Sequence, residues 1–250
     1  MSSRPPRTVN STCTRRTVLA GGAAMLATAG RISLAESPQT AERVQLDISY
    51  EFHYLSYVPD DYGLDLSRKW PLLLFLHGAG ERGSDLELVK IHGPPKLIEA
   101  GKQFPFVVIS PQCPLESGWV PLALEALIES IRRKYRIDSE RIYVTGLSLG
   151  GYATWELALR HPERYAAIIP ICGAGDPSRA DRLRELPVWA FHGAKDDVVP
   201  LSGSQDMIAA IKAAGGNPRF TIYPQAGHDS WTETYANDEI YSWLLQQRRL

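Results

Sequence analysis

Arg141-Ile142-Tyr143-Val144-Thr145-Gly146-Leu147-Ser148-Leu149-Gly150-Gly151-Tyr152 changes character in its middle. A β-branched and apolar run breaks at Gly146, and a helix-compatible segment begins beyond Gly150. A serine on a strand-to-helix turn between glycines is pushed up out of a sheet, because neither glycine carries a Cβ to crowd the turn. The Ser148 hydroxyl is then exposed, and the N–H of Leu149 faces the same space. The competing reading is a glycine-rich turn in which Ser148 only N-caps the helix.

Outward from this stretch the chain alternates strand and helix. Residues 71–76 form a continuous apolar run, as expected of a strand covered on both faces, and end in His77-Gly78-Ala79-Gly80. Residues 106–110, 142–145, 166–172, 188–191 and 220–223 read as further strands, and 44–59 as two more with mixed alternation. Helical spacing places Leu124, Leu127, Ile128, Ile131 and Tyr135 on one face, likewise Met207, Ile208 and Ile211, and later Ile240, Tyr241, Leu244 and Leu245. This rhythm implies an α/β fold, a mostly parallel sheet with helices on both faces, with functional residues at the carboxyl ends of the strands. The stretch 173–187 is too short for a lid domain, so the site is expected to be open. Pro94 and Pro95 mark a loop and short helix near its mouth.

The 250 residues, 44% hydrophobic and 22% charged, suit one globular domain. Residues 1–35 stand apart as an export signal. They hold Arg4, Arg7, Arg15, Arg16 and Arg31, no acidic residue, and a small-residue apolar run over 18–29 too short to span a bilayer. Thr14-Arg15-Arg16-Thr17-Val18-Leu19 is similar to a twin-arginine signal, with an ordinary secretory signal as the alternative. Cleavage is expected after Ser33-Leu34-Ala35 or, earlier, Ala27-Thr28-Ala29. Residues 36–250 then form a single domain with 22 Lys and Arg against 28 Asp and Glu. This balance argues against nucleic-acid or anionic-lipid partners and, without the signal, against stable membrane insertion. The expected location is periplasmic or extracellular. Cys113 and Cys172 follow strands with two others between them, too far apart to bridge, and are expected to be free.

An activated serine needs a histidine to take its proton and a carboxylate to hold that histidine in the right tautomer. Asp196 follows the strand 188–191 within His192-Gly193-Ala194-Lys195-Asp196-Asp197, and His228 follows the strand 220–223 within Gln225-Ala226-Gly227-His228. Serine, acid, histidine is the chain order of the α/β-hydrolases. Gly227 is expected to let the loop turn sharply ahead of His228. Asp197 and Asp176 are rival acids, and the glycine-x-x-acid spacing favours Asp196. The N–H groups of Leu149 and Ala79 are candidate oxyanion donors, Ala79 being flanked by Gly78 and Gly80. His77 and His192, each before a glycine at a strand end, are expected to bond loop backbone, and His161 to help end a helix. His53 and His92 have no evident partner. Trp119 and Trp231 fall in loops at strand ends, as pocket walls or as packing, and Trp155 reads as core. Glu81 and Arg82 are an expected ion pair shaping the oxyanion loop. No histidine and carboxylate cluster has metal-ligand spacing, so neither metal nor other cofactor is expected.

The segments Leu73-Leu74-Phe75-Leu76-His77-Gly78-Ala79-Gly80-Glu81-Arg82-Gly83, Ser110-Pro111-Gln112-Cys113-Pro114, the stretch from Gly146 to Trp155, and His228-Asp229-Ser230-Trp231 together carry a closer likeness. The chain resembles small exported α/β-hydrolases related to polyhydroxybutyrate depolymerases and feruloyl esterases, a group with some predicted peptidases. The resemblance implies the α/β-hydrolase fold with no large lid domain, and a serine esterase with Ser148, Asp196 and His228 as nucleophile, acid and base. Its substrate would be a small-molecule or polymeric ester. Two other readings stand beside it: a serine peptidase of the same fold, and a catalytically silent binding protein.

Overall fold

A computed structural model describes residues 50–249; the export segment read at 1–35 lies outside them. Seven strands make one sheet: β1 (Tyr54–Tyr57), β2 (Trp70–Leu76), β3 (Val107–Pro111), β4 (Ile137–Leu147), β5 (Ala167–Ile171), β6 (Trp189–Gly193) and β7 (Arg219–Tyr223). Their spatial order is β1-β3-β2-β4-β5-β6-β7, with β1 antiparallel to β3 and every other neighbouring pair parallel. Six helices accompany them: α1 (Gly93–Glu99), α2 (Pro121–Lys134), α3 (Leu149–Arg160), α4 (Ser202–Ala213), α5 (Trp231–Ala236) and α6 (Asp238–Gln246). This is the expected fold class. None of the described helices is long and apolar enough to cross a membrane.

Strand β2 is buried along its whole length, and its period of two deals its side chains to two cores. Trp70, Leu72, Leu74 and Leu76 join α2, α3 and α4 on one face through Leu124, Trp155 and Met207. Leu73 and Phe75 join α5 and α6 on the other through Tyr235, Ile240 and Leu244. Leu245, expected on the inner face of α6, is exposed, and Trp243 is buried there instead. On a 100° turn per residue, Trp243 lies closer than Leu245 to the line joining Ile240 and Leu244.

Of the two strands read in 44–59, the second is β1, whose last partner on β3 is Pro111 opposite Tyr54, and residues 44–49 lie outside the described residues. One further bond, from the Gln112 N–H to the His53 carbonyl, closes this edge before the chain leaves the sheet. Pro94 and Pro95 open the expected short helix, α1, where a missing N–H costs no helical bond. The strand order leaves β2 and β4 between the strands that precede Cys113 and Cys172; both cysteines are buried and free.

Candidate active site

The turn between β4 and α3 is built by close backbone approach. A Cβ on Gly150 would lie 1.9 Å from the Leu76 carbonyl oxygen, and one on Gly146 would lie 2.4 Å from the Gly150 oxygen. Only glycine fits either position. Ser148 between them takes φ 51° and ψ −115°, a conformation side chains rarely adopt, held by its N–H to the Ile171 carbonyl at 3.0 Å. Its hydroxyl caps no helical N–H, so the N-cap reading falls away. The oxygen instead lies 3.0 Å from His228 Nε2.

Asp196 and His228 come from the loops after β6 and β7, which are laced together. Lys195 donates its N–H to the Ala226 carbonyl at 3.0 Å, and a Cβ on Gly193 would meet the Gly227 oxygen at 2.1 Å. The glycine requirement expected at Gly227 therefore sits at Gly193; a Cβ on Gly227 would make only an ordinary contact with the Lys195 oxygen. His228 Nδ1 lies 2.8 Å from Asp196 Oδ2 and 3.0 Å from Oδ1. Burial pushes the Asp196 carboxyl upward, but bonds from His228, Val199 N–H and Val198 N–H prevail and leave it below its ordinary value. Asp196 is thus ionised at neutral pH, an acceptor that selects the Nδ1–H tautomer of His228 and leaves Nε2 free to take the serine proton. Of the rival acids, Asp197 is exposed, and Asp176 is spent on Ser178 at the start of a 3₁₀ turn.

The loop after β2 passes directly over the serine. A Cβ on Gly78 would be 2.8 Å from Leu147 Cδ1 and 3.7 Å from Ser148 Cβ. Ala79 is exposed on this loop, with its carbonyl accepting from Arg82 Nε at 3.0 Å, and Leu149 opens α3 where helical N–H groups lack internal partners. The expected Glu81–Arg82 ion pair does not form. Arg82 donates to the Ala79 and Ser117 carbonyls, while Glu81 turns inward, 3.8 Å from His77 Nδ1 and 3.7 Å from His92 Nε2. His77 does bond backbone: Nδ1 donates to the Gly78 carbonyl and Nε2 accepts from the Cys113 N–H.

Trp119 and Trp231 are half-buried and committed to histidines. Trp119 donates to the His77 carbonyl at 3.2 Å and packs on the His77 ring. Trp231 donates to His92 Nδ1 at 3.3 Å and stands edge-on to His228, ring centres 5.2 Å apart. So His92, without an evident partner in the sequence, is the anchor of Trp231. Sequence spacing also missed the gathering of Cys172 with Asp196 and His228, ligand atoms within 4.8 Å of one another. Burial pushes the Cys172 thiol up to about 12, so it stays protonated, a form that does not ligate metal.

Residues 104–239 match the phospholipase/carboxylesterase family. The chain is 24% identical over 189 residues to a probable feruloyl esterase C of Aspergillus niger, covering 72% of this chain and 68% of that protein. It is 27% identical over 146 residues to a bifunctional acetylxylan esterase/xylanase of Neocallimastix patriciarum, 54% of this chain but only 20% of that one. Among solved structures, a thermostable esterase superposes with a TM-score of 0.70 at 37% identity, over 80% of this chain and 60% of the other. The chain thus spans one fifth of the bifunctional relative's length and three fifths of the thermostable esterase's. With more than half of its length matched and its sheet, loops and strand order described above, the chain belongs to the phospholipase/carboxylesterase family of α/β-hydrolases.

Proposed function

We propose that the protein cleaves carboxylic esters through an acyl-enzyme, with Ser148 as nucleophile, His228 as base and acid, and Asp196 as the group that orients His228. One observation carries this reading: the unbroken chain from Ser148 Oγ to His228 Nε2 at 3.0 Å and from His228 Nδ1 to Asp196 at 2.8 Å. Attack on the ester carbonyl moves the Ser148 proton to Nε2, which passes it to the leaving alcohol. Water, deprotonated in turn by His228, then releases the acid. The oxyanion of each step is held by the N–H groups of Ala79 and Leu149. No cofactor takes part. The feruloyl and acetylxylan esterase relatives direct the first substrate panel to aryl and acetyl esters, small or borne on a polymer. With residues 1–35 read as an export signal, the place of action is the periplasm or the exterior.

A fluorophosphonate, which reacts with activated serines, should label the wild-type protein at Ser148 and leave His228→Ala unlabelled, as read by mass spectrometry. Ser148→Ala should lose roughly 10⁴-fold or more of kcat on an aryl ester while keeping its fold. Retained hydrolysis in that variant would mean a different nucleophile. A matched ester and amide separate an esterase from a peptidase.

A further inference from the structure

A second histidine reaches Asp196. His192, on β6 and fully buried, places Nε2 3.2 Å from Asp196 Oδ2 and 3.0 Å from the Val199 carbonyl oxygen. The carbonyl has no proton to give, and neither does the ionised carboxylate, so Nε2 must carry the hydrogen. That N–H meets the Val199 carbonyl, and the Oδ2 oxygen of Asp196 lies beside it. The ring is fixed at its other end as well: Nδ1 lies 2.8 Å from Ser204 Oγ on α4, an oxygen that also lies 3.0 Å from the Gly173 carbonyl oxygen. Gly173 lies just past the end of β5, where its backbone touches Gly151 of the nucleophile helix.

We infer that His192 is a positioning residue of the reaction, holding the Asp196 carboxylate, and through it His228, in line with Ser148. The inference rests on the triad reading above. Asp196 Oδ1 is already held by the Val198 and Val199 N–H groups at 2.9 Å each. Oδ2, the oxygen nearest His228 Nδ1, has His192 Nε2 as a further polar neighbour at 3.2 Å. The N–H of His192 holds the carbonyl of the same Val199 whose N–H holds Oδ1, so His192 fixes the loop segment that grips the carboxylate. His192 also spans three elements, β6, α4 and the end of β5, so the acid is referenced to the same frame as the nucleophile. A group held this way stays in register while the proton on His228 moves from one partner to the next.

Two substitutions separate positioning from packing. Glutamine can place its amide N–H where His192 Nε2 lies, whereas asparagine reaches only the Nδ1 position facing Ser204. His192→Asn should lower kcat roughly 10- to 100-fold, the scale of loss for a catalytic group displaced by about an ångström, with KM little changed. His192→Gln should recover most of kcat even though both variants lose comparable thermal stability. Equal kcat losses in the two, or wild-type kcat in His192→Asn, would overturn the inference. A measurement on the wild-type protein needs no substitution: nitrogen-15 NMR of labelled histidines should find His192 Nε2 protonated at the pH of assay, and a bare Nε2 would also overturn it. Ser148→Ala assayed beside them keeps the two readings apart. If that variant is active the triad reading fails; if it is inactive while His192→Asn is fully active, only the role of His192 fails.

Discussion

Burial holds the His77 imidazole neutral, lowering its pKa from 6.5 to about 4. Unfolded, the same ring titrates near its ordinary value, so between these limits the unfolded chain binds the extra proton. Stability therefore rises with pH across that window and is lost as pH falls from about 6.5 toward 4. The His77 share of the loss should be about 2 kcal/mol by pH 5. Urea unfolding at pH 7 and pH 5 measures it, and His77→Gln should flatten the difference. The placement of Ser148, Asp196 and His228 at three strand ends was legible in the sequence, because each sits in a short motif directly after an apolar run. The inward turn of Glu81, the anchoring of Trp231 by His92 and the approach of His192 to Asp196 were not. Each is a meeting of side chains from separate strand ends, and such meetings leave no periodic trace along a chain.

The strand-to-helix turn shows the same boundary between what is legible and what is not, one scale up. Glycines at 146 and 150 were readable as a tight turn; that the second presses on the Leu76 carbonyl of a neighbouring strand was not. Gly150→Ala would drive its Cβ to 1.9 Å from that oxygen, with backbone on both sides and nothing able to give. Its cost should exceed the roughly 1–3 kcal/mol of ordinary overpacking and abolish activity with it. Gly63→Ala meets nothing within 4 Å and should shift stability by less than about 1 kcal/mol. Chemical denaturation of the two variants side by side checks the contrast. The central strands were likewise legible, since burial on both faces writes an unbroken apolar run, although β4 begins at Ile137, five residues ahead of the run read from 142.

At the scale of the whole molecule, two cores on opposite faces of one sheet support the site at the strand ends. The aromatic and aliphatic residues of both faces hold β4, β6 and β7 in order, and the loops at their carboxyl ends then meet over α3. What the cores stabilise, the serine draws on. Ser148 keeps φ 51° with a Cβ in place, a conformation that costs about 1–3 kcal/mol for any residue but glycine. Ser148→Gly and Ser148→Ala both lose the hydroxyl and its bond to His228, yet only glycine relaxes the backbone. Ser148→Gly should therefore melt a few degrees above Ser148→Ala, as calorimetry would record, given roughly 2–4 °C per kcal/mol for a domain of this size. Selection for heat resistance alone would drift toward glycine there, so under the proposed function it is the hydroxyl's chemistry that holds serine in this strained position.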